Sequence, residues 1–94
     1  MHVDVKLSSA GDLFEAEVDG RQAGRLEFIR RDGVITYTHT EVNAEFEGKG
    51  VGAVLVRTAL DAARVEGVRV VPFCPFVKGW IRRHPEYADL AADA

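Results

Sequence analysis

The sequence predicts an α+β domain with the element order ββββ-α-β-α, and three observations support that prediction. Up to about residue 43, apolar and polar residues alternate in short stretches separated by turn signals, which is typical of an antiparallel meander. Past residue 50, the apolar residues recur with the period of a helix. A short continuous apolar stretch, "VRVVPF", and a second helical stretch then follow.

Four strands are predicted in the first half of the chain. They are the stretches "HVDVKL", "LFEAEVDG", "RQAGRLEFIRRDG" and "VITYTHTEV". Turn signals separate them at Gly11-Asp12, Asp19-Gly20 and Asp32-Gly33. Because Asp and Gly tolerate positive φ angles, the Asp19-Gly20 and Asp32-Gly33 pairs predict two tight hairpins.

Two helices are predicted in the second half. The first begins near residue 51, runs for roughly four turns and ends at Gly67, a residue type that favours helix ends. The second, "PFVKGWIRRH", begins at Pro75 and is stopped by Pro85, and "EYADLAADA" is predicted as one last helical turn with a frayed tail. The periodicity of the first helix predicts an apolar face made of Val51, Val54, Leu55, Thr58, Ala62 and Val65.

Composition and charge exclude several classes of protein. A chain of 94 residues, 47% of them hydrophobic, has room for one core, so residues 1–94 are predicted to form a single domain. A net charge of −3 with mixed signs along the chain argues against nucleic-acid binding. The single cysteine, Cys74, excludes an intramolecular disulfide and provides no zinc site by itself, so no metal is expected.

The apolar runs and the opening residues of the chain indicate where in the cell the protein is expected. No apolar run approaches the roughly 18 residues that span a bilayer, and the opening "MHVDVKLSS" lacks the basic start and apolar core of a secretory signal. We therefore expect a cytoplasmic protein that does not associate with membranes.

A glycine-rich loop, "EGKGVG" at residues 47–52, lies between the fourth strand and the first helix. It is not a nucleotide-triphosphate loop, because Gly50 rather than a hydroxyl residue follows Lys49. "GKGVGA" formally matches a dinucleotide fingerprint, but no acidic residue ends the next strand and the preceding strands form a meander. The remaining use is a pyrophosphate cradle, in which glycines let an anion reach the free N–H groups at a helix start.

The loop resembles the coenzyme A loop of the GNAT superfamily of N-acetyltransferases, whose pattern is [QR]-x-x-G-x-[GA]. Gly50 and Gly52 occupy its two small-residue positions, and Glu47 stands where Gln or Arg is usual. The chain as a whole resembles a minimal, GNAT-like branch of short domain proteins. The motifs that carry this resemblance occur in the branch's order: "HTEV" (39–42), "GKGVG" (48–52), "AVLV" (53–56) and "VVPFCPFVKGWIRRHPEY" (70–87).

This resemblance implies a fold and a ligand. The fold is a mixed, mostly antiparallel sheet, splayed between its fourth and fifth strands, with helices packed on it. The ligand is coenzyme A or acetyl-coenzyme A, with the pantetheine arm in the V-shaped opening against backbone groups of Val42 and Asn43. The pyrophosphate would be held by the N–H groups of Gly48 to Gly52, Val51 included. Lys49 and Lys78 are either partners of the phosphates or solvated surface lysines.

The resemblance also suggests a general base. In many family members a glutamate on the fourth strand deprotonates the amine, and Glu41 lies where such a residue could stand, with His39 as the rival candidate. Two residues apart on one strand, their side chains share a face. Either one points into the cleft, or both cover the solvent side of the sheet.

A general acid of the family's usual kind is missing. The tyrosine commonly found on the helix after the fifth strand aligns here with Ile81. Cys74, at the end of the fifth strand, is either a small buried hydrophobe or a nucleophile favoured by the positive end of the helix that Pro75 opens. As a nucleophile it would relay the acetyl group in two steps, and it would then also contact the cofactor.

Two functions are expected on these grounds. The first is an acetyl-coenzyme A-dependent N-acetyltransferase acting on an unknown amine, by direct transfer or by relay through Cys74. Because short turns join the first strands, an exposed amine of a protein or peptide fits the open cleft better than a buried metabolite. The second is a module that binds coenzyme A or acyl-coenzyme A without turnover. A monomer or weak dimer is expected in either case.

Overall fold

The computed structural model describes residues 1–91, and it contains five strands and two α-helices. Their order confirms the predicted ββββ-α-β-α arrangement. A 3₁₀ turn precedes the first helix and another comes after the second. The bounds are β1 Val3–Leu7, β2 Leu13–Val18, β3 Arg21–Arg31, β4 Val34–Val42, the first 3₁₀ turn Ala44–Phe46, α1 Val51–Glu66, β5 Arg69–Pro72, α2 Pro75–Arg83 and the second 3₁₀ turn Pro85–Leu90.

The strands lie in chain order across one sheet. β1 to β4 are antiparallel neighbours, whereas β5 runs parallel to β4, so the expected mixed, mostly antiparallel sheet is confirmed. Asp19 and Gly20 have φ angles of 52° and 78°, and Asp32 and Gly33 have φ angles of 52° and 76°. Two successive positive φ angles define the hairpin turn whose twist matches the flanking strands, so both Asp-Gly predictions are confirmed.

The pairing of β4 with β5 ends early. It stops at Tyr37 and Pro72, although β4 itself continues to its end. Pro72 has no N–H group to continue the ladder, and the N–H of Phe73 turns back to the carbonyl oxygen of Val71 at 3.0 Å. Beyond one further bond, from Cys74 N–H to the Tyr37 carbonyl at 2.9 Å, the two chains diverge. The sheet is therefore splayed where the sequence resemblance implied.

A bulge in β4 decides which side chains face the helices. The β3–β4 register shifts by one residue at Thr38, so the alternation of side chains reverses beyond it. Tyr37 is buried under α1, and Thr40 is half-buried on that same side. His39 and Glu41 instead lie on the opposite face, with side chains 54% and 51% exposed.

Helix α1 packs against every strand of the sheet. Its buried face partly corrects the predicted one: Val51 and Leu55 are buried, but Ala62 is exposed and Val65 is 90% exposed. The prediction failed because apolar residues occur around most of the helix, so periodicity alone allows several faces. The buried residues are Val51, Gly52, Leu55, Val56, Ala59, Leu60 and Ala63.

Helix α2 lies beside α1 and runs in the same direction. The Phe76 ring packs on Gly52 near the start of both helices, and the Arg57 guanidinium lies over the Trp80 ring about one turn further along. Trp80 is buried and joins α2 to the single core between the sheet and the helices. The positive N-terminal ends of both helices therefore lie together at the splayed end of the sheet.

The remaining boundaries differ slightly from the predictions. β5 is shorter than the predicted stretch 68–73 for the reason given above, and α2 ends one residue before His84. Gly67 ends α1 with a φ angle of 79°, as predicted. The predicted final turn is present as the second 3₁₀ turn, whereas most of the predicted frayed tail, residues 92–94, lies outside the described residues. Among the helices of residues 1–91, none is long and apolar enough to cross a membrane.

Gly24 provides a test of the packing between β3 and β4. A Cβ atom at Gly24 would lie 2.6 Å from the Glu41 carbonyl oxygen and 3.4 Å from Leu55 Cδ1. Because the nearest atom is backbone, Gly24→Ala should force the strands apart and lower the free energy of unfolding by about 1–3 kcal/mol, measured by urea denaturation. At Gly79 the nearest atom is 3.5 Å away, so the control Gly79→Ala should raise stability by about 0.5–1 kcal/mol. An unchanged Gly24→Ala midpoint would contradict the close approach.

Candidate active site

A groove of about 360 Å³ opens where β4 diverges from β5. The end of β4 forms one wall, and the first turns of α1 and α2 form the other. It is mostly apolar, apart from backbone groups and one carboxylate. Its lining consists of Val42, Phe46, Glu47, Gly48, Gly50, Val51, Gly52, Ala53 and Phe76.

The loop before α1 presents unused backbone donors to this groove. Gly48 and Gly50 have φ angles of 77° and 84°, which L side chains rarely adopt, so glycine is needed for the shape of the loop. The first intrahelical bond runs from Val54 N–H to the Gly50 carbonyl at 3.2 Å. Within residues 1–91, the N–H groups of residues 48–53 donate to no acceptor, and no acidic residue lies in the first turn of α1. The arrangement suits an anion.

Gly52 has a different role from the two other glycines. It lies inside α1 and is buried, and a Cβ atom there would be 2.8 Å from Cζ of Phe76. The missing side chain therefore lets the first turn of α2, which begins at Pro75, approach the first turn of α1. As a result, two helix N-termini contribute positive potential to one groove.

The open edge of β4 supplies further polar groups. Asn43 is bound to β3, since its N–H donates to the Ala23 carbonyl and its Nδ2 donates to the Gln22 carbonyl, both at 2.8 Å. Because backbone groups alternate along a strand, the N–H and C=O of Val42 point to the other edge, where β4 has lost its partner. Val42 is thus available to an extended ligand, whereas the backbone N–H of Asn43 is already used.

Cys74 lies at the inner end of the splay. It is the residue before α2, it is only 4% exposed, and its Sγ is 3.3 Å from Oγ1 of Thr40. Neither residue lines the groove, but each is two positions from a residue that does, Phe76 on one wall and Val42 on the other. The structure therefore places the thiol and a hydroxyl together just behind the groove.

His39 and Glu41 belong to a charged cluster on the opposite face of the sheet. Arg25 donates from Nη2 to Oε1 of Glu41 at 2.8 Å and from Nε to Oε2 of Glu27 at 2.7 Å. His39 Nε2 is 3.5 Å from the same Glu41 oxygen. The hydrogen bond to Glu27 is the main cause that raises the pKa of Arg25, and the charge of Glu41 adds to it. The guanidinium therefore stays charged between two carboxylates.

Neither tyrosine of the chain faces the groove. Tyr37 is buried and donates its hydroxyl proton to the Ala59 carbonyl at 3.1 Å, and burial raises its pKa. Tyr87 donates to Oδ1 of Asp61 at 2.7 Å, and this hydrogen bond raises its pKa. Ile81, which aligns with the usual acid, lies in the core. A phenol is thus not positioned to protonate a leaving group in this groove.

The predicted cofactor residues divide into two groups. Asn43, Lys49, Cys74 and Lys78 lie outside the lining of the groove. The six within it are Val42, Glu47, Gly48, Gly50, Val51 and Gly52.

Sequence reasoning missed Phe46, Ala53 and Phe76 in the lining and Thr40 beside the thiol. The only sequence signal for Phe76 was a large apolar residue directly after the proline that opens a helix. The orientation of Thr40 depends on the bulge, which has no signal in the sequence.

Comparison with known proteins identifies a family. The family model described as GCN5-related N-acetyl-transferase matches residues 13–90, which is most of the chain. Among curated protein sequences, none matches significantly.

Solved structures share the fold. A GCN5-like protein from Staphylococcus aureus has a TM-score of 0.74 at 22% identity, over 97% of this chain and 89% of that one. The ribosomal-protein-alanine N-acetyltransferase of Brucella melitensis has a TM-score of 0.62 at 24% identity, over 87% of this chain and 62% of its own. The PaiA N-acetyltransferase of Thermoplasma acidophilum, crystallised with coenzyme A, has a TM-score of 0.58 at 17% identity, over 83% and 52%.

The chain thus spans only part of the two larger enzymes but nearly all of the S. aureus protein. These likenesses, all below 25% identity, concern the fold, and the family model concerns the sequence itself. On that match, the chain belongs to the GCN5-related N-acetyltransferase family, whose acetyl donor is acetyl-coenzyme A.

Proposed function

We propose that this domain is an acetyl-coenzyme A-dependent N-acetyltransferase whose cofactor lies in the groove at the splayed end of the sheet. The observation that carries the proposal is the set of unused N–H groups at residues 48–53, facing a groove at the start of α1, in a member of an acetyltransferase family. A pyrophosphate accepts hydrogen bonds from such groups and is further stabilised by the helix dipole. Lys49, in the same loop, adds a flexible positive charge.

The pantetheine arm would run along the open edge of β4. An amide of the arm can hydrogen-bond to the backbone of Val42 as a neighbouring strand would, because β5 leaves this part of the β4 edge unpaired. The apolar side chains of Phe46 and Phe76 line the same groove and cover the aliphatic parts of the arm. The thioester then lies at the inner end, towards Thr40 and Cys74.

The acceptor would approach from the open face of the sheet. Within residues 1–91 no helix covers that face, and tight turns join β2 to β3 and β3 to β4. An exposed amine on a protein or peptide fits such a surface better than a small metabolite, which needs an enclosing pocket. Glu41 and His39 lie on that face and would bind or deprotonate the amine.

Relay through Cys74 is the route that these contacts favour. The Cys74 thiolate, its proton lost to water, attacks the thioester carbonyl carbon, and the bond from that carbon to the coenzyme A sulfur breaks. Coenzyme A leaves as a thiolate and takes a proton from water. The amine then attacks the Cys74 thioester, gains the acetyl group, gives its proton to solvent and releases the Cys74 thiolate.

Two observations favour a second function, a module that binds coenzyme A or its acyl form without turnover. Neither tyrosine is placed as an acid, and Glu41 is held by Arg25 on the face opposite the groove. Binding through the cradle requires none of these groups. The two functions share the cofactor site, and they differ in whether the bound acetyl group is transferred.

A charge placed in the cradle should weaken cofactor binding. Ala53 is the third residue of α1 and lines the groove. Ala53→Asp should lower affinity for coenzyme A by about tenfold to a hundredfold in calorimetry, since its carboxylate repels the pyrophosphate and competes for the N–H groups. Stability should be equal or higher, because an acidic residue in the first turn complements the helix dipole. The neutral variant Ala53→Asn, matched in size, should lose much less, and undiminished affinity in Ala53→Asp would exclude the cradle.

Glu47 is the one carboxylate among the groove residues, at the position where the coenzyme A loop pattern of the GNAT superfamily has Gln or Arg. Removing its charge should tighten coenzyme A binding in Glu47→Gln by about twofold to fivefold at low salt, and the gain should shrink as salt screens the charge. Glu45, two residues away, is paired with Arg21, so Glu45→Gln serves as the control and should leave affinity unchanged. Equal affinities for Glu47→Gln and wild type at every salt concentration would place that carboxylate outside the field of the phosphates.

The relay predicts a covalent intermediate. Mixing the protein with acetyl-coenzyme A should give an acetyl adduct in intact-mass analysis that hydroxylamine removes. Cys74→Ser should abolish the adduct without weakening coenzyme A binding, and Cys74→Ala should lose about 1 kcal/mol or more of stability as a buried side chain is truncated. If Cys74→Ala transfers acetyl at the wild-type rate, the direct route through Glu41 or His39 is correct instead. If neither wild type nor variant transfers acetyl to peptide amines, the binding module is correct.

A further inference from the structure

Positive charge is distributed unevenly over this acidic chain. Five cationic residues form ion pairs with carboxylates of the sheet, the connecting turns and the helix ends: Lys6, Arg21, Arg25, Arg30 and Arg64. Arg57 on α1 and Arg83 on α2 pair with no carboxylate of residues 1–91. Both are exposed, and both lie on the helices that begin at the groove.

These two arginines lie on the faces of α1 and α2 that meet, and we name the surface between them the α1–α2 crevice. Arg57 is four positions after the groove residue Ala53, so it shares that face of α1 one turn further along. Arg83 is seven positions after the groove residue Phe76, so it shares the face of α2 that meets α1. The crevice therefore continues the groove, and an arginine stands on each side of it.

Local contacts bring both guanidinium groups back towards the groove. Arg57 Cζ lies over the Trp80 ring, 5.6 Å from its centroid. The Arg83 side chain folds back along α2, and its Nη1 is 3.5 Å from where a Cβ of Gly79 would be. At a rise of about 1.5 Å per residue, Arg57 is about 8 Å along the axis from Gly52. By the same rise, Gly79, beside the Arg83 guanidinium, is about 5 Å along α2 from Phe76, so both charges lie within about 8 Å of the cradle along the helix axes.

Resting on the proposed function, we propose that Arg57 and Arg83 bind the 3′-phosphate of the adenosine end of coenzyme A. With the pyrophosphate on the N–H groups and the pantetheine directed into the splay, the adenosine end would leave the groove on the outer side, where the crevice begins at Ala53 and Phe76. Its 3′-phosphate is one ribose away from the pyrophosphate and carries close to two charges. Guanidinium groups bind such phosphates through paired hydrogen bonds.

Other cations near the groove are less suited to this contact. Lys78 and Arg82 are two and six positions after Phe76, which places them about 200° and 240° around α2, away from the crevice. Lys49 belongs to the loop that would hold the pyrophosphate. Arg31, at the far end of β3, forms no ion pair within residues 1–91 either, and it provides a control with the same charge on another surface.

The test compares coenzyme A with 3′-dephospho-coenzyme A, which differs only in the phosphate. In calorimetry, the wild-type protein should prefer coenzyme A by about tenfold to a hundredfold. Arg57→Gln and Arg83→Gln should each lose much of that preference through weaker coenzyme A binding alone, with the affinity for the dephospho form unchanged within about twofold. Together they should abolish the preference, whereas Arg31→Gln should leave both affinities as in wild type.

The outcomes separate this inference from the proposed function. If wild type binds both compounds equally well, or if each arginine variant weakens both compounds equally, the 3′-phosphate contact is wrong while the cradle stands. If wild type binds neither compound, the proposed function is wrong, and the inference that rests on it is wrong as well. Arg57→Lys keeps the positive charge but loses the paired N–H donors of the guanidinium, so this variant should retain part of the preference for coenzyme A over the dephospho form.

Discussion

The early end of β4–β5 pairing is the constraint on which the rest of this structure depends. Pro72 cannot continue the ladder, and the chain leaves through Phe73 into the helix that Pro75 opens. If the pairing continued, the backbone of Val42 would be bound to a strand and the groove would be closed. The loss of a few strand hydrogen bonds therefore leaves the end of β4 unpaired beside the starts of both helices.

Close packing around that opening relies on two glycines whose missing side chains leave room for a neighbouring element. Gly24 lets β3 approach β4, and Gly52 lets α2 approach α1. Both are needed because a Cβ would meet another group at less than contact distance, not because of a left-handed backbone. The two glycines at 48 and 50 are needed for their positive φ angles instead. One glycine-rich stretch thus serves loop shape, donor exposure and helix packing at neighbouring positions.

Local signals in the sequence predicted the parts of the fold that local chemistry determines. The Asp-Gly turns, the helix end at Gly67 and the helix start at Pro75 each depend on one or two residues. The face of α1 was predicted only in part, because Val54 and Val65 are apolar without being buried and only the sheet decides which apolar residues it covers. The bulge at Thr38 is likewise a tertiary feature, and it reverses which β4 residues face the thiol. Family resemblance predicted the role of the glycine loop, whereas the positions of Phe76 and Thr40 depend on tertiary packing.

The bulge also separates the proposed chemistry onto two faces of one sheet. The thiol, Thr40 and the cofactor groove lie on the helix side, whereas Arg25, His39 and Glu41 lie on the open side. An amine bound among those charges can reach a thioester only through the gap between the diverging strands, since elsewhere the backbone ladder closes the sheet. A gap bounded by backbone admits a thin, extended group such as a lysine side chain or a chain terminus more readily than a branched one. If the proposed transfer takes place, selection of the acceptor would therefore depend on the width of this gap as much as on a pocket, since no helix covers the open face within residues 1–91.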